Sequence, residues 1–136
     1  MQAIQRGFYI FENGTKTATI DGKQYNGEWA EGYLLKMFGE LSIMELDDEN
    51  NVYPVVPKTV GLYSGLPDKT GKNICVNDIV KYRPANKDHD IFLVVDWDEE
   101  RALFYAGFAK LWIINTVCEV VGNVFENPEL LPKIER

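Results

Sequence analysis

The sequence predicts a mainly β chain in two parts, on three observations. Short apolar runs alternating with polar residues recur along most of its 136 positions, and turn-forming dipeptides separate them. One stretch, Gly61 to Val80 (GLYSGLPDKTGKNICVNDIV), gathers Gly61, Gly65 and Gly71 around the turn Pro67-Asp68-Lys69-Thr70-Gly71. Only Asn127-Pro128-Glu129-Leu130-Leu131 reads as a helix start, with a capping residue, a proline at the first helical position and an early acid. The expected plan is an N-terminal β-hairpin and meander lobe over residues 1–60. Residues 61–136 then supply the glycine-rich connecting turn, a small barrel and a short terminal helical turn. Both parts are expected to belong to one compact unit.

In the first part, Gly7–Phe11 (GFYIF) predicts an aromatic strand and Thr15–Ile20 (TKTATI) its hairpin partner. Asn13-Gly14 between them suits a type I′ turn, because both residues tolerate positive φ. Asp21-Gly22 repeats that signal, and Asn26-Gly27 predicts a further turn. Beyond it, Trp29 and Tyr33 share one strand face and Glu28 and Gly32 the other. The apolar pattern runs from Tyr33 to Phe38, breaks at Gly39-Glu40 and resumes as a strand over Leu41–Leu46. Glu28 and Glu31 stand three apart on a strand, so they face opposite sides and cannot flank one glycosidic bond. Asp47-Asp48-Glu49 is a solvated loop without the spacing of a calcium loop. Pro54 and Pro57 keep the Val52–Val56 strand from a central sheet position, since neither can donate to a ladder.

The central stretch resembles a phosphate loop at first sight, and its chemistry rejects that reading. Five residues separate Gly65 from Gly71-Lys72 where four are needed, and Asn73 stands where a magnesium-binding hydroxyl belongs. The segment also leads into strand-like Ile79-Val80, not into a helix whose N-terminus could hold an anion. The expectation is a structural turn built on Gly61, Gly65, Asp68, Gly71, Asn77 and Asp78, with Asp68 and Thr70 bonding locally.

From Asn77 onward five strand-like runs follow: Ile79–Tyr82, Ile91–Trp97, Ala102–Phe108, Leu111–Asn115 and Val117–Phe125. Five short strands with tight turns suit a small closed barrel, which removes exposed edges. Its entry through Asn77-Asp78 makes it SH3-like by analogy of fold alone. Pro132 is expected to limit the terminal helix to about one turn.

Composition bounds the function. The net charge of −7 argues against broad attraction to phosphate backbones. Yet Lys58, Lys69, Lys72, Lys81, Arg83 and Lys87 stand against only Asp68 and Asp78 between residues 58 and 87, a local balance of +4. Six acids and no lysine or arginine follow from Asp88 to Glu100, so the two segments can offset each other across neighbouring strands. Cys75 and Cys118 lie in apolar contexts and read as buried, reduced thiols, with a disulfide or a nucleophilic pair as alternatives. They and His89 are the chain's only Cys and His residues, too few for a four-ligand structural zinc site. His89 reads as an exposed loop residue, with casual metal binding as its alternative. No run reaches the roughly 18 apolar residues of a membrane span, and the first residues lack a signal-peptide pattern. The expected location is cytoplasmic.

Tyr63-Ser64-Gly65-Leu66-Pro67-Asp68-Lys69-Thr70-Gly71-Lys72-Asn73-Ile74, followed by Asn77-Asp78-Ile79-Val80, resembles the signature of the YopX family of phage and prophage proteins. Asn26-Gly27-Glu28-Trp29 with Glu31-Gly32, Pro57-Lys58-Thr59-Val60-Gly61 and the block from Val121 to Leu131 agree with it in order and spacing. Asn77 replaces the family's usual glycine, Pro67 a lysine, and Cys75-Val76 an aromatic-acidic pair. Asparagine tolerates the left-handed region, so the turn should survive. The resemblance implies a mainly β, oligomeric protein of a bacterial host cytoplasm, and it implies no activity.

The leading expectation is a non-enzymatic, self-assembling module that binds a host or phage protein, with no cofactor. The alternative is a nucleic-acid-binding small barrel using segment 58–87, with Lys69, Lys72, Lys81 and Arg83 as phosphate contacts and Tyr63 and Tyr82 as stacking platforms. A third reading is an enzyme using Asp68, Lys69, Lys72 or Asp78.

Overall fold

A single long strand organises the first half of the chain. In the computed structural model, which describes residues 4–46 and 51–135, β3 (Lys23–Met37) extends over 15 residues. Around it stand β1 (Gln5–Ile10), β2 (Lys16–Ile20), β4 (Glu40–Glu45), β5 (Val52–Pro54) and the start of β6 (Gly61–Pro67). The order is β5-β4-β3-β1-β6, with β2 also on β3, and the pairings are antiparallel. Chain contacts divide the molecule into two units, Met1–Tyr63 and Ser64–Arg136. The acidic loop expected after β4 falls largely on residues 47–50, outside the described residues.

β3 is bounded by two tight turns of the same geometry. Asp21-Gly22 has φ values of 52° and 81°, Phe38-Gly39 of 51° and 82°, and each closes a two-residue hairpin. Both residues of each pair are left-handed, as a type I′ turn requires. As expected from its prolines, β5 lies at the end of the strand order.

Two expected turns in this region are corrected. β1 and β2 do not form a hairpin with each other: both pair with β3, Ile10 and Lys16 meeting it at the same residue, Gly27. Asn13-Gly14 has no positive φ; the Gly14 N–H instead donates to the Phe11 carbonyl. Asn26-Gly27 lies inside β3 and turns nothing. Its glycine answers to close approach, since a Cβ there would sit 2.1 Å from the Tyr9 carbonyl and 2.6 Å from the Phe8 ring. The dipeptide signal is local, whereas a continuous 15-residue strand offers both neighbours a full ladder.

The first unit packs Ala30, Ile43 and Val55 against half-buried Tyr9, Leu34, Leu41, Tyr53 and Val60. Tyr9 and Tyr53 stack at 4.4 Å, and Phe8 meets Trp29 edge-on at 5.3 Å. The buried Thr59 hydroxyl accepts the Phe8 N–H at 2.9 Å and donates to the Val56 carbonyl at 2.6 Å.

In the second unit, β6 leads into β7 (Asn73–Cys75), and a five-stranded sheet follows. Its members are β8 (Asp78–Tyr82), β9 (Ile91–Asp98), β10 (Leu103–Ala106), β11 (Ala109–Lys110) and β12 (Glu119–Asn123), ordered β11-β10-β9-β8-β12. Among the described residues no pairing joins β11 to β12, so the sheet stays open where a closed barrel was expected. Its core gathers Ile74, Val80, Ile91, Leu93, Val95, Ala106, Leu111, Ile114 and Cys118.

Leu111–Asn115, expected as a strand, is instead helical: α1 (Leu111–Ile114) continues into a 3-10 turn, Asn115–Val117. Leu111 and Ile114, three apart, are buried while Trp112 and Ile113 are exposed, which is helical spacing. Burying those two side chains is worth about 1.5–3 kcal/mol each, and strand alternation would have exposed one of them. The terminal 3-10 turn spans Pro128–Lys133 and runs through Pro132, which does not end it. Asn127 does not cap that turn with its side chain: its Oδ1 accepts the Asn123 N–H at 3.1 Å, and its Nδ2 donates to Glu129.

Candidate functional site

Asp68 and the residues around it build one hydrogen-bonded assembly in the second unit. Asp68 is buried, and its Oδ1 accepts the Thr70 N–H at 2.8 Å, the Thr70 hydroxyl at 2.6 Å and the Lys72 N–H at 3.0 Å. Its Oδ2 accepts the Val120 N–H of β12 at 2.8 Å. Burial pushes the Asp68 carboxyl up, and these hydrogen bonds outweigh it, so its pKa lies below the ordinary aspartate value. The Lys69 N–H donates to the Cys118 carbonyl at 2.9 Å and Asn115 Nδ2 to the Pro67 carbonyl at 2.8 Å, tying the turn to the segment after α1. Asp68 and Thr70 thus bond locally as expected, and Asp68 also reaches 52 residues along the chain.

The other turn residues divide by backbone. Gly65 and Gly71 are left-handed at φ 76° and 93°. Gly61 is not a turn residue: it is an extended residue of β6 paired with Arg6. Asn77 holds φ 76°, donates to the Val95 carbonyl and accepts the Val124 N–H, so the asparagine sustains the left-handed turn. Asp78 is buried and its Oδ2 accepts the Cys75 N–H at 2.9 Å.

The basic candidates do not form one set. Lys69 and Lys81 reach the same Glu119 carboxylate oxygen at 3.8 and 3.9 Å. Arg83 pairs with Asp90 at 3.2 Å across the β8–β9 loop, a partner within the acidic segment. Lys72 is exposed, its backbone engaged by Asp68. Tyr82 packs against the core of the second unit, whereas Tyr63 belongs to the first and donates to Glu31 at 2.6 Å. Lys58 pairs with Asp21 in the first unit.

Cys75 and Cys118 are buried free thiols. Burial first, and the nearby Asp68 charge second, push the Cys118 pKa up to about 11, so it stays a protonated, weakly nucleophilic thiol. His89 is exposed and its Nδ1 lies 3.0 Å from Asp88. Among the described residues no group of His, Cys, Asp and Glu comes together to hold a metal ion, and no helix is long and apolar enough to cross a membrane.

Exposed apolar side chains went unread in the sequence. In the second unit Phe108, Trp112, Ile113 and Val117 are 65%, 58%, 57% and 60% exposed, all within or beside α1 and the β10–β11 turn. In the first, Phe38 is 99% exposed at the β3–β4 tip. Phe38-Gly39 between two alternating runs carried the signal for a tip. A helical reading of Leu111–Ile114 would have turned Trp112 and Ile113 outward.

Two antiparallel sheets define a mainly β protein, with a buried aspartate organising its central turn. The chain belongs to the YopX family: the family described as YopX protein matches residues 10–132, most of its length. A comparison with curated proteins finds no match.

Proposed function

We propose that this chain is a non-enzymatic interaction module that self-assembles and docks a second, host or phage, protein in the bacterial cytoplasm. The observation that carries this reading is the exposure of Phe38 in one unit and of Phe108, Trp112, Ile113 and Val117 in the other. Large apolar side chains gathered at a surface mark contact sites more often than isolated ones do. Two buried free thiols suit a reducing compartment. The order β11-β10-β9-β8-β12, with a helical segment before the last strand, supports an SH3-like arrangement left open at its edges. Sedimentation of the wild-type chain over a concentration series tests the reading: association is expected, and a monomer throughout overturns it.

A second reading, nucleic-acid contact, is favoured by one observation. Lys69 and Lys81 share a single carboxylate, leaving one cation in excess, and Lys72 is exposed. Binding of a single-stranded oligonucleotide that weakens with salt and is lost in Lys69→Glu would support it. No binding near 50 mM salt would remove it.

A further inference from the structure

The second unit carries two unlike surfaces that fit each other. Cys118 is extended and buried, so its neighbours Val117 and Glu119 turn outward. The Cys118 N–H bonds back to the Ile114 carbonyl at 3.1 Å, which sets exposed Ile113 one turn from Val117 on the same side. Glu119 holds Lys69 and Lys81 on one carboxylate oxygen at 3.8 and 3.9 Å, so this apolar strip ends in one cation in excess. The other surface is an open groove of about 940 Å³ on β9 and β10. Val94, Asp96 and Asp98 alternate onto one face of β9, Tyr105 stands across from Asp96, and Glu99 and Glu100 belong to the turn that follows. Asp98 already binds Arg101 at 2.8 Å, and Lys110 stands across from Tyr105. The groove therefore keeps two carboxylates in excess beside Val94, Trp97 and Tyr105.

We infer that the strip docks in the groove of a second copy of this chain, head to tail. This rests on the self-assembly reading and names the contact made by the second unit, separate from any at Phe38. Charge selects the occupant. Strip against strip, in a two-fold contact, would bring the same lysines together. The groove of a second copy offers what the strip lacks: apolar side chains to cover Ile113 and Val117, and carboxylates in excess for the spare cation. One chain cannot join its own two halves. Lys81 pairs with Phe92 near the start of β9, and the groove acids begin at Asp96, roughly 13 Å further along the strand. Because the two halves differ, each contact leaves a strip free at one end and a groove at the other, and copies add into rings or open chains.

The test is sedimentation equilibrium of the full chain at low salt, where such charges are least screened. It is run in wild type and in a Phe38→Asn background, which removes the exposed ring of the first unit. Association should persist in that background. Ile113→Asp, or Glu99→Lys together with Glu100→Lys, should then weaken it roughly tenfold or more. Each variant keeps one half intact, so mixing the two should restore a dimer and nothing larger, which misfolded chains could not do. A Phe38→Asn chain that stays monomeric while wild type associates overturns this contact and leaves self-assembly standing. A groove variant that associates like its parent, or a mixture that stays monomeric, overturns the pairing of strip with groove. A wild-type monomer at every concentration overturns both inference and reading. If that monomer binds a single-stranded oligonucleotide and Ile113→Asp abolishes the binding, the occupant of the strip is nucleic acid and not a second copy.

Discussion

Two turns, one in each unit, use their central side chains in opposite ways. At the Asp68 turn a carboxylate points inward, is buried and accepts four hydrogen bonds, one of them from β12. At the Phe38 turn an aromatic ring points outward and is 99% exposed. The first side chain holds its unit together and is spent on structure. The second contributes no core packing and sits in a left-handed conformation that its counterpart across β3, Asp21, occupies with less strain. The proposed self-assembly would give such a residue a use outside the chain.

The largest effect expected from this contrast lies at Asp68. Asp68→Ala leaves three backbone N–H groups and the Thr70 hydroxyl without their acceptor, and should destabilise the fold by about 3 kcal/mol or more. Denaturant unfolding followed by circular dichroism would measure it, and self-association of the remaining folded chain should be unchanged. An effect below about 1 kcal/mol would show that water replaces the carboxylate easily.

The same carboxylate sets an acid limit. Its folded pKa lies below the unfolded value, so the stability it adds is complete above the unfolded pKa of about 3.9 and is lost as pH falls towards the folded value. Melting temperature should therefore fall as pH drops below about 4, and Asp68→Asn should flatten that part of the profile. A variant with the wild-type acid slope would place the titration elsewhere.

Smaller effects compare the two ends of β3. Asp21→Phe places an aromatic in the geometry of residue 38 and should cost about 1 kcal/mol, read as a lower unfolding midpoint. Loss of the Lys58 ion pair adds little, because both partners are exposed. Phe38→Asn, the reverse change, should raise stability by about 0.5–1 kcal/mol while weakening association. Stability and association moving in opposite directions is the outcome that separates a contact residue from a structural one.

Much of the architecture was legible because it rests on local chemistry. Asp21-Gly22 announced its turn, Pro54 and Pro57 placed β5 at a sheet end, and Asn77 kept its left-handed backbone. What was not legible depends on distant partners. Asn26-Gly27 has the composition of a turn, but β1 and β2 together hold it in a strand, and only the approach of Tyr9 and Phe8 explains its glycine. Leu111–Ile114 is too short for periodicity to separate helix from strand; burial of residues 111 and 114 decides it. The Asp68 turn was readable as a turn, but its bond to Val120 was not, since nothing near residue 68 specifies β12. The exposed apolar residues were hidden for a related reason: exposure of Phe38 and Trp112 follows only once the tip and the helix are placed.

The most direct test of the central proposal is the mass of the wild-type chain by sedimentation velocity from about 1 to about 100 µM, set beside Phe38→Asn. Self-assembly predicts a wild-type mass that rises with concentration beyond that of one 15.6 kDa chain, and a Phe38→Asn sample that stays closer to the monomer. A wild-type chain that remains monomeric across the whole range would contradict it.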